Sequence, residues 1–232
     1  MKKSSIEKTV YFRLRNAILK RQIAPGTQLV ELTISKELDV SRTPIRNAIK
    51  LLSEEGMVDM IPNRGAFVAN PTKSEVEQAY QLRLELELMA IRASLYKLDE
   101  EDFEEMCACM QEEKLALEAK DMERYLKANK SFHMVAVKKA GNTFLAEFLG
   151  VLMNKIDIYI MLFDSFFDNS PTTPKGPCEH LAIVEAMRSK RMEELERLVR
   201  IHVEHALESL RDRVREYKMP NEIFKELYGK KQ

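Results

Sequence analysis

From about residue 74 to residue 217 the chain repeats one pattern, apolar residues three and four apart in stretch after stretch, which commits that part to an all-helical body. The expected helices cover roughly 74–96, 100–119, 121–139, 142–168, 178–189 and 191–217. Asp99, Asp121 and Asn142 are suited to cap three of them, and Ser74 and Glu77 have the separation of a capping box. The one long irregular stretch, "DNSPTTPKGP" at 168–177, holds three of the eight prolines and reads either as a lid over a pocket or as a connector.

The first 70 residues have a different texture. "EKTVYFRLRNAILKRQI" sets Val10, Leu14, Ala17 and Ile18 on one stripe, and Pro25 and Gly26 stop it. "TISKELDV" is a short second helix, and "SRTPIRNAIKLLSEEG" a third, with Ser41 or Thr43 as cap, Pro44 in the first turn and Gly56 at the end. Ile45, Ala48, Ile49 and Leu52 form its inner face, with Leu29, Leu32, Leu38 and Val40 supporting it. "MVDMIPNRGAFVAN" alternates around "PNRG" as a small β-hairpin. The expected domains are 1–71, a winged helix-turn-helix, and 72–232, an all-α helical bundle, giving a mostly α fold.

Bulk properties narrow the setting. Of 232 residues, 45% are hydrophobic and 32% charged, ordinary for a globular chain. No apolar run approaches the ~20 residues that span a bilayer. The first residues lack the apolar core of a signal peptide, so no membrane is expected and the setting reads as cytoplasmic. Three cysteines form no disulfide framework and fit free thiols in a reducing compartment. The 13 methionines read as core filler. The formal net charge of zero conceals an asymmetry: residues 1–70 hold 12 basic against 7 acidic residues, a surplus of five that the remainder balances. A basic head points to an anionic partner for the head alone.

In a winged helix-turn-helix the third helix lies in the DNA major groove, its N-terminal residues facing base edges. Arg42, Thr43 and Arg46 cluster there, and a guanidinium fork grips guanine O6 and N7 or a phosphate. Arg64 and Gly65 stand at the hairpin tip, where a wing touches backbone or minor groove. The arginine pair alone also fits a solvated helix face. The segment "LVELTISKELDVSRTPIRNAIKLLSEEGMVDMIPNRGAFV" further resembles the reader head of GntR-type bacterial transcription regulators over about residues 10–69. That resemblance implies DNA contacts for Arg42, Thr43, Arg46 and Gly65. In some members an arginine takes the slot of Leu32, so operator preference does not transfer.

All four histidines, His133, His180, His202 and His205, lie in the helical part. Asn129 and His133, four apart, share a helix face, and three helices can each turn a nitrogen towards one interior point. Spacing alone equally fits unrelated histidines. "LRLELE", "NKSFHMVAVKKAGN" and "EHLAIVEAMRSKRMEELERLVRIH" resemble the FCD effector domain of FadR-like GntR regulators, and six helices rather than seven resemble its VanR-type subgroup. The resemblance implies a divalent metal (zinc, nickel or manganese) held by Asn129, His133, His180 and His202, with His205 and Cys178 outside the set. Arg83 pairs either with an effector carboxylate or with Glu87, four residues on.

The expected function is a metabolite-responsive DNA-binding regulator, a repressor by family habit rather than an enzyme. As a homodimer it would bind a double-stranded DNA operator and respond to a small carboxylate held near the metal. A metal-dependent hydrolase is the alternative, weakened by the lack of a zincin motif or an evident general base. A third reading is a metal-free interaction module.

Overall fold

Ile45, Ala48, Ile49 and Leu52 are all buried on one face of a helix over Arg42–Glu54, and the N-terminal unit is built around that face. The computed structural model describes residues 2–163, 176–211 and 214, which divide between Thr72 and Lys73 into two compact units. The first contains α1 (Lys2–Leu19), α2 (Glu31–Leu38), α3 (Arg42–Glu54), β1 (Val58–Ile61) and β2 (Gly65–Val68). Val10, Leu14, Ala17 and Ile18 of α1 pack inward, joined by Ile23, Leu29 and Ile34. Truncating a side chain in so closed a core, Leu52→Ala for example, costs about 2–5 kcal/mol.

Several local expectations change. Leu32 is 51% exposed, because the eight residues of α2 bury only Ile34. Helix α1 ends at Leu19, before Pro25, with Arg21 in the left-handed region at φ 56°. Ser41 is the N-cap of α3 but makes no side-chain capping hydrogen bond, and Thr43 lies inside the helix. The hairpin pairs Val58 with Val68 and Ile61 with Gly65. Pro62 presets its turn and Asn63 takes the left-handed position at φ 61°. Residues 27–29 run alongside β2 as a third extended piece, with Leu29 N–H donating to the Ala66 carbonyl at 2.8 Å.

The second unit contains α4 (Lys73–Ser94), α5 (Glu100–Glu118), α6 (Met122–Ala140), α7 (Thr143–Phe163), α8 (Gly176–Arg188) and α9 (Met192–Arg211). Asp99 caps α5 in a reciprocal box with Asp102, Asp121 caps α6, and Asn142 Oδ1 accepts from Leu145 N–H at the start of α7. Ser74 does not cap: α4 begins at Lys73, and the Ser74 hydroxyl, inside the helix, accepts from the Gln78 amide one turn on. Gly141, at φ 78°, closes α6 in the left-handed conformation that favours glycine. The expected ends of the fourth and sixth bundle helices, at 168 and 217, lie outside the described residues, as does the lid-or-connector segment except Gly176 and Pro177, which open α8. Helix α4 packs against α6, α7 and α9, and α5 against α6 and α8, and side chains from five of these six helices, α7 excepted, line one interior. Among the described residues no helix is long and apolar enough to cross a membrane.

Candidate metal centre and nucleic-acid interface

In the helical unit, His133 from α6, His180 from α8 and His202 from α9 are buried, with ligand nitrogens all within 4.8 Å of one another. Each faces a different glutamate through Nδ1: His133 with Glu87 at 3.1 Å, His180 with Glu113 at 3.0 Å, and His202 with Glu179 at 2.8 Å. That pairing fixes ring orientation and turns every Nε2 inward, as in carboxylate-backed metal sites.

The tautomer of His133 follows from its neighbours. Arg83 Nη2, which can only donate, lies 2.9 Å from His133 Nε2, so that nitrogen is an acceptor and Nδ1 carries the proton to Glu87. His202 Nε2 is 3.3 Å from His133 Nε2. Two nitrogens each 2.0–2.1 Å from one tetrahedral ion would be about 3.4 Å apart. His180 Nε2 is buried with no hydrogen-bond partner among the described residues. Inward Nε2 atoms at this spacing, one of them without a partner, suit a shared cation.

The electrostatics agree. Burial pulls His133 down to about 4 and His180 well below its ordinary value, so both rings are neutral at pH 7, the form that binds metal. Burial pushes the Glu87 carboxyl up, but Arg83 and His133 more than reverse this and hold it well below the carboxylate range. Glu113 has no such cation beside it, and burial pushes it up to about 8. Glu179, opposed by burial but hydrogen-bonded by His202 and His205, is lowered. Phe132 stacks on the His180 ring at 4.0 Å between centroids and closes one side of the cluster.

The remaining residues fall as follows. Asn129 lies one turn before His133 on α6, half-buried. Arg83 is buried and makes the intrahelical pair, Nε to Glu87 Oε1 at 2.6 Å. His205 bonds to Glu179 Oε1 at 2.6 Å, beside the three-imidazole cluster rather than in it. Cys178 is exposed. Glu113 and Phe132 were not singled out from the sequence. Glu113 does carry a signal, an acid on the stripe Phe103, Met106 and Ala116 that α5 buries.

In the N-terminal unit, Arg42, Thr43 and Arg46 are exposed on the first turns of α3, and Arg64 and Gly65 at the hairpin. Glu31 accepts from Arg46 Nε and Nη2, both at 2.9 Å, and from Arg42 Nη2 at 3.0 Å. Arg64 lies over the Phe67 ring at 5.3 Å, and its carbonyl accepts from the Gln28 amide at 2.7 Å. Gly65 adopts φ 100°, a conformation L side chains rarely take.

Residues 6–68 match the model described as bacterial regulatory proteins, gntR family, and residues 78–205 match the FCD domain. The HTH-type transcriptional repressor RspR of Escherichia coli (strain K12) is 26% identical over 207 residues, covering 89% of each chain. The gluconate operon transcriptional repressor of Bacillus subtilis (strain 168) is 26% identical over 163 residues, covering 70% of this chain and 66% of that protein. Among solved structures, Lar, which controls expression of the Listeria monocytogenes agr system, aligns with a TM-score of 0.68 at 21% identity over 88% of this chain and 95% of that one. E. coli McbR/YncC aligns with a TM-score of 0.64 at 19% identity over 89% and 97%. At these identities the two structures attest the fold alone.

Proposed function

This chain belongs to the gntR family of bacterial regulatory proteins, in the branch that carries an FCD domain, and we propose that it is a cytoplasmic repressor whose operator affinity answers to a small carboxylate bound beside a divalent metal. Family members are DNA-binding transcription regulators, not enzymes. Glu179, next to His180 in sequence, is not free to act as the base of a hydrolase, because both its oxygens are engaged by His202 and His205.

One observation carries the proposal, the convergence of His133, His180 and His202 on a buried point with a glutamate behind each ring. These three, with Asn129 as an oxygen donor, would hold zinc, nickel or manganese, since such N/O ligand sets accept several divalent ions. The ion supplies positive charge and an open position for an anionic group. The chain's own part is to keep the His133 and His180 imidazoles neutral, aim the three Nε2 atoms and cover the His180 ring with Phe132. Arg83 would turn its Nη groups to the incoming carboxylate while Nε stays on Glu87.

Arg42, Thr43 and Arg46 would meet the major groove, and Arg64 with Gly65 the flanking backbone or minor groove. Residues 1–71 would act as the reading domain and 72–232 as the sensing and dimerising one. The six helices described between Lys73 and Arg211 support a VanR-type subgroup. A homodimer is supported by α7, where Phe144, Phe148 and Val151, spaced four and three apart, stand 68%, 61% and 64% exposed. That two curated relatives are named repressors supports the sign of regulation.

The test is elemental analysis of the purified protein beside His133→Ala and His202→Ala, followed by a thermal-shift screen of small carboxylates with and without metal. Metal in the parent alone, and a carboxylate stabilising only the loaded form, are expected. Equal metal content in all three proteins would remove the site.

A further inference from the structure

Glu31 puts a negative charge among the cations of the reading surface, where it opposes phosphate binding. It stands in the first turn of α2, a quarter exposed, while Arg42 and Arg46 stand 57% and 64% exposed. Its contact with Arg46 is side-on and two-pronged: Nε donates to Oε1 and Nη2 to Oε2, both at 2.9 Å. A guanidinium carries five N–H groups in one plane. A side-on carboxylate uses the Nε–H and one Nη2–H, leaving both Nη1 hydrogens and the second Nη2 hydrogen. Those remaining groups form the end-on fork whose parallel N–H bonds match guanine O6 and N7. Among the described residues Arg42 is held through Nη2 alone, at 3.0 Å. Its Nε and Nη1 are left for phosphate.

We propose that Glu31 is a positioning residue for base reading: it clamps Arg46 so that the end-on edge of the guanidinium, and not a freely swinging cation, is offered to a guanine. The proposal rests on the placement of α3 in the major groove. A free arginine must immobilise several rotors on docking, and a preformed ion pair bears that cost before DNA arrives. A carboxylate here also weakens attraction to phosphate regardless of sequence, since that attraction grows with each phosphate neutralised. Both effects act in one direction, towards discrimination between sequences.

The opposing account is that Glu31 only masks the arginines. The two accounts give different signs. With the full-length protein, the probes are a duplex selected by the parent protein from a random-sequence library and an unselected random duplex, each titrated across a salt series. Glu31→Gln is expected to lower the ratio of selected to random affinity about ten- to a hundredfold, the discrimination of one bidentate base contact. It is also expected to tighten random-duplex binding and to steepen log K against log salt by up to about 0.9, as Arg42 gains a phosphate. Adding Glu31→Gln to Arg46→Ala should reduce the ratio no further. Equal melting temperatures exclude unfolding as the cause. If Glu31→Gln tightens both duplexes alike, it is a mask and the proposal is overturned. If Arg46→Ala binds both duplexes like the parent, the placement of α3 itself fails. If Arg46→Ala loses the ratio while Glu31→Gln keeps it, only the positioning role fails.

Discussion

Arg83 Nη2 lies 2.9 Å from His133 Nε2, and both side chains are buried. The bond occupies the only lone pair that His133 can give to a metal, because its other nitrogen donates to Glu87. Metal and guanidinium therefore compete for one atom, and metal uptake would leave an arginine Nη group in need of an acceptor. A carboxylate is such an acceptor. Within the proposed site, metal and carboxylate are thus expected to bind with positive, reciprocal coupling.

Replacing Arg83 tests that competition. Arg83→Met is expected to bind metal more tightly without carboxylate, by about tenfold or more, since a hydrogen bond to a charged group contributes about 1.5–3 kcal/mol. The same variant should lose any extra thermal stabilisation that the proposed site draws from a carboxylate in the metal-loaded parent. Chelator competition reads the first effect and a melting curve the second. Arg83→Lys, which keeps a cation near Glu87, guards against a folding defect. Metal affinity equal to the parent's in both variants would contradict the competition.

The glutamates behind the histidines have their own signature. Glu179→Gln keeps the shape but weakens the acceptor at His202 Nδ1, and metal affinity is expected to fall about 10–100-fold, as for other outer-shell partners. The carboxylate responsible, at 20% side-chain exposure, is the most accessible of the three, so folding should be spared. An unchanged metal dissociation constant would argue that Glu179 plays no part in orienting the ring.

A pH dependence follows from Glu113. Burial raises its carboxyl from 4.5 to about 8, so the folded metal-free protein keeps a proton that the unfolded chain gives up between those values. The stability this group contributes is present below about 4.5 and lost as pH rises through 8. Melting temperature should accordingly fall between pH 5 and pH 9 more steeply in the metal-free parent than in Glu113→Gln. The variant should lead by several degrees at the alkaline end, at about 2–4 °C per kcal/mol. Parallel curves would contradict the assignment.

Much of the fold was legible in the sequence because periodicity reports the face that each element buries. The stripes Val10, Leu14, Ala17, Ile18 and Ile45, Ala48, Ile49, Leu52 are inward in both helices. Asp99 and Asp121 cap where their spacing placed them. Leu32 was misread because α2 is too short for its period to distinguish inside from outside. Convergence of three histidines from α6, α8 and α9 depends on how distant helices pack, so spacing alone left it open and only the resemblance to a family favoured it. The partner of each ring was harder still. Glu113 comes from α5, 67 positions from His180, and a buried acid is recognisable locally only as an interruption of an apolar stripe.

The exposed apolar row on α7 leads to a test of assembly. Phe148→Glu places a charge amid Phe144 and Val151, and it is expected to shift the protein from dimer to monomer in sedimentation while leaving metal content unchanged. Operator affinity should drop with the loss of paired reading heads. A variant that remains dimeric would move the interface elsewhere.

The most direct measurement titrates the full-length protein against its selected duplex in three states: metal-free, metal-loaded, and loaded with the carboxylate giving the largest thermal shift, for the parent and for His180→Ala. The account predicts that carboxylate changes duplex affinity in the loaded parent about 5–150-fold, a coupling of about 1–3 kcal/mol, and leaves His180→Ala unaffected. A loaded parent that binds the carboxylate yet holds its duplex with the same affinity in every state would contradict it.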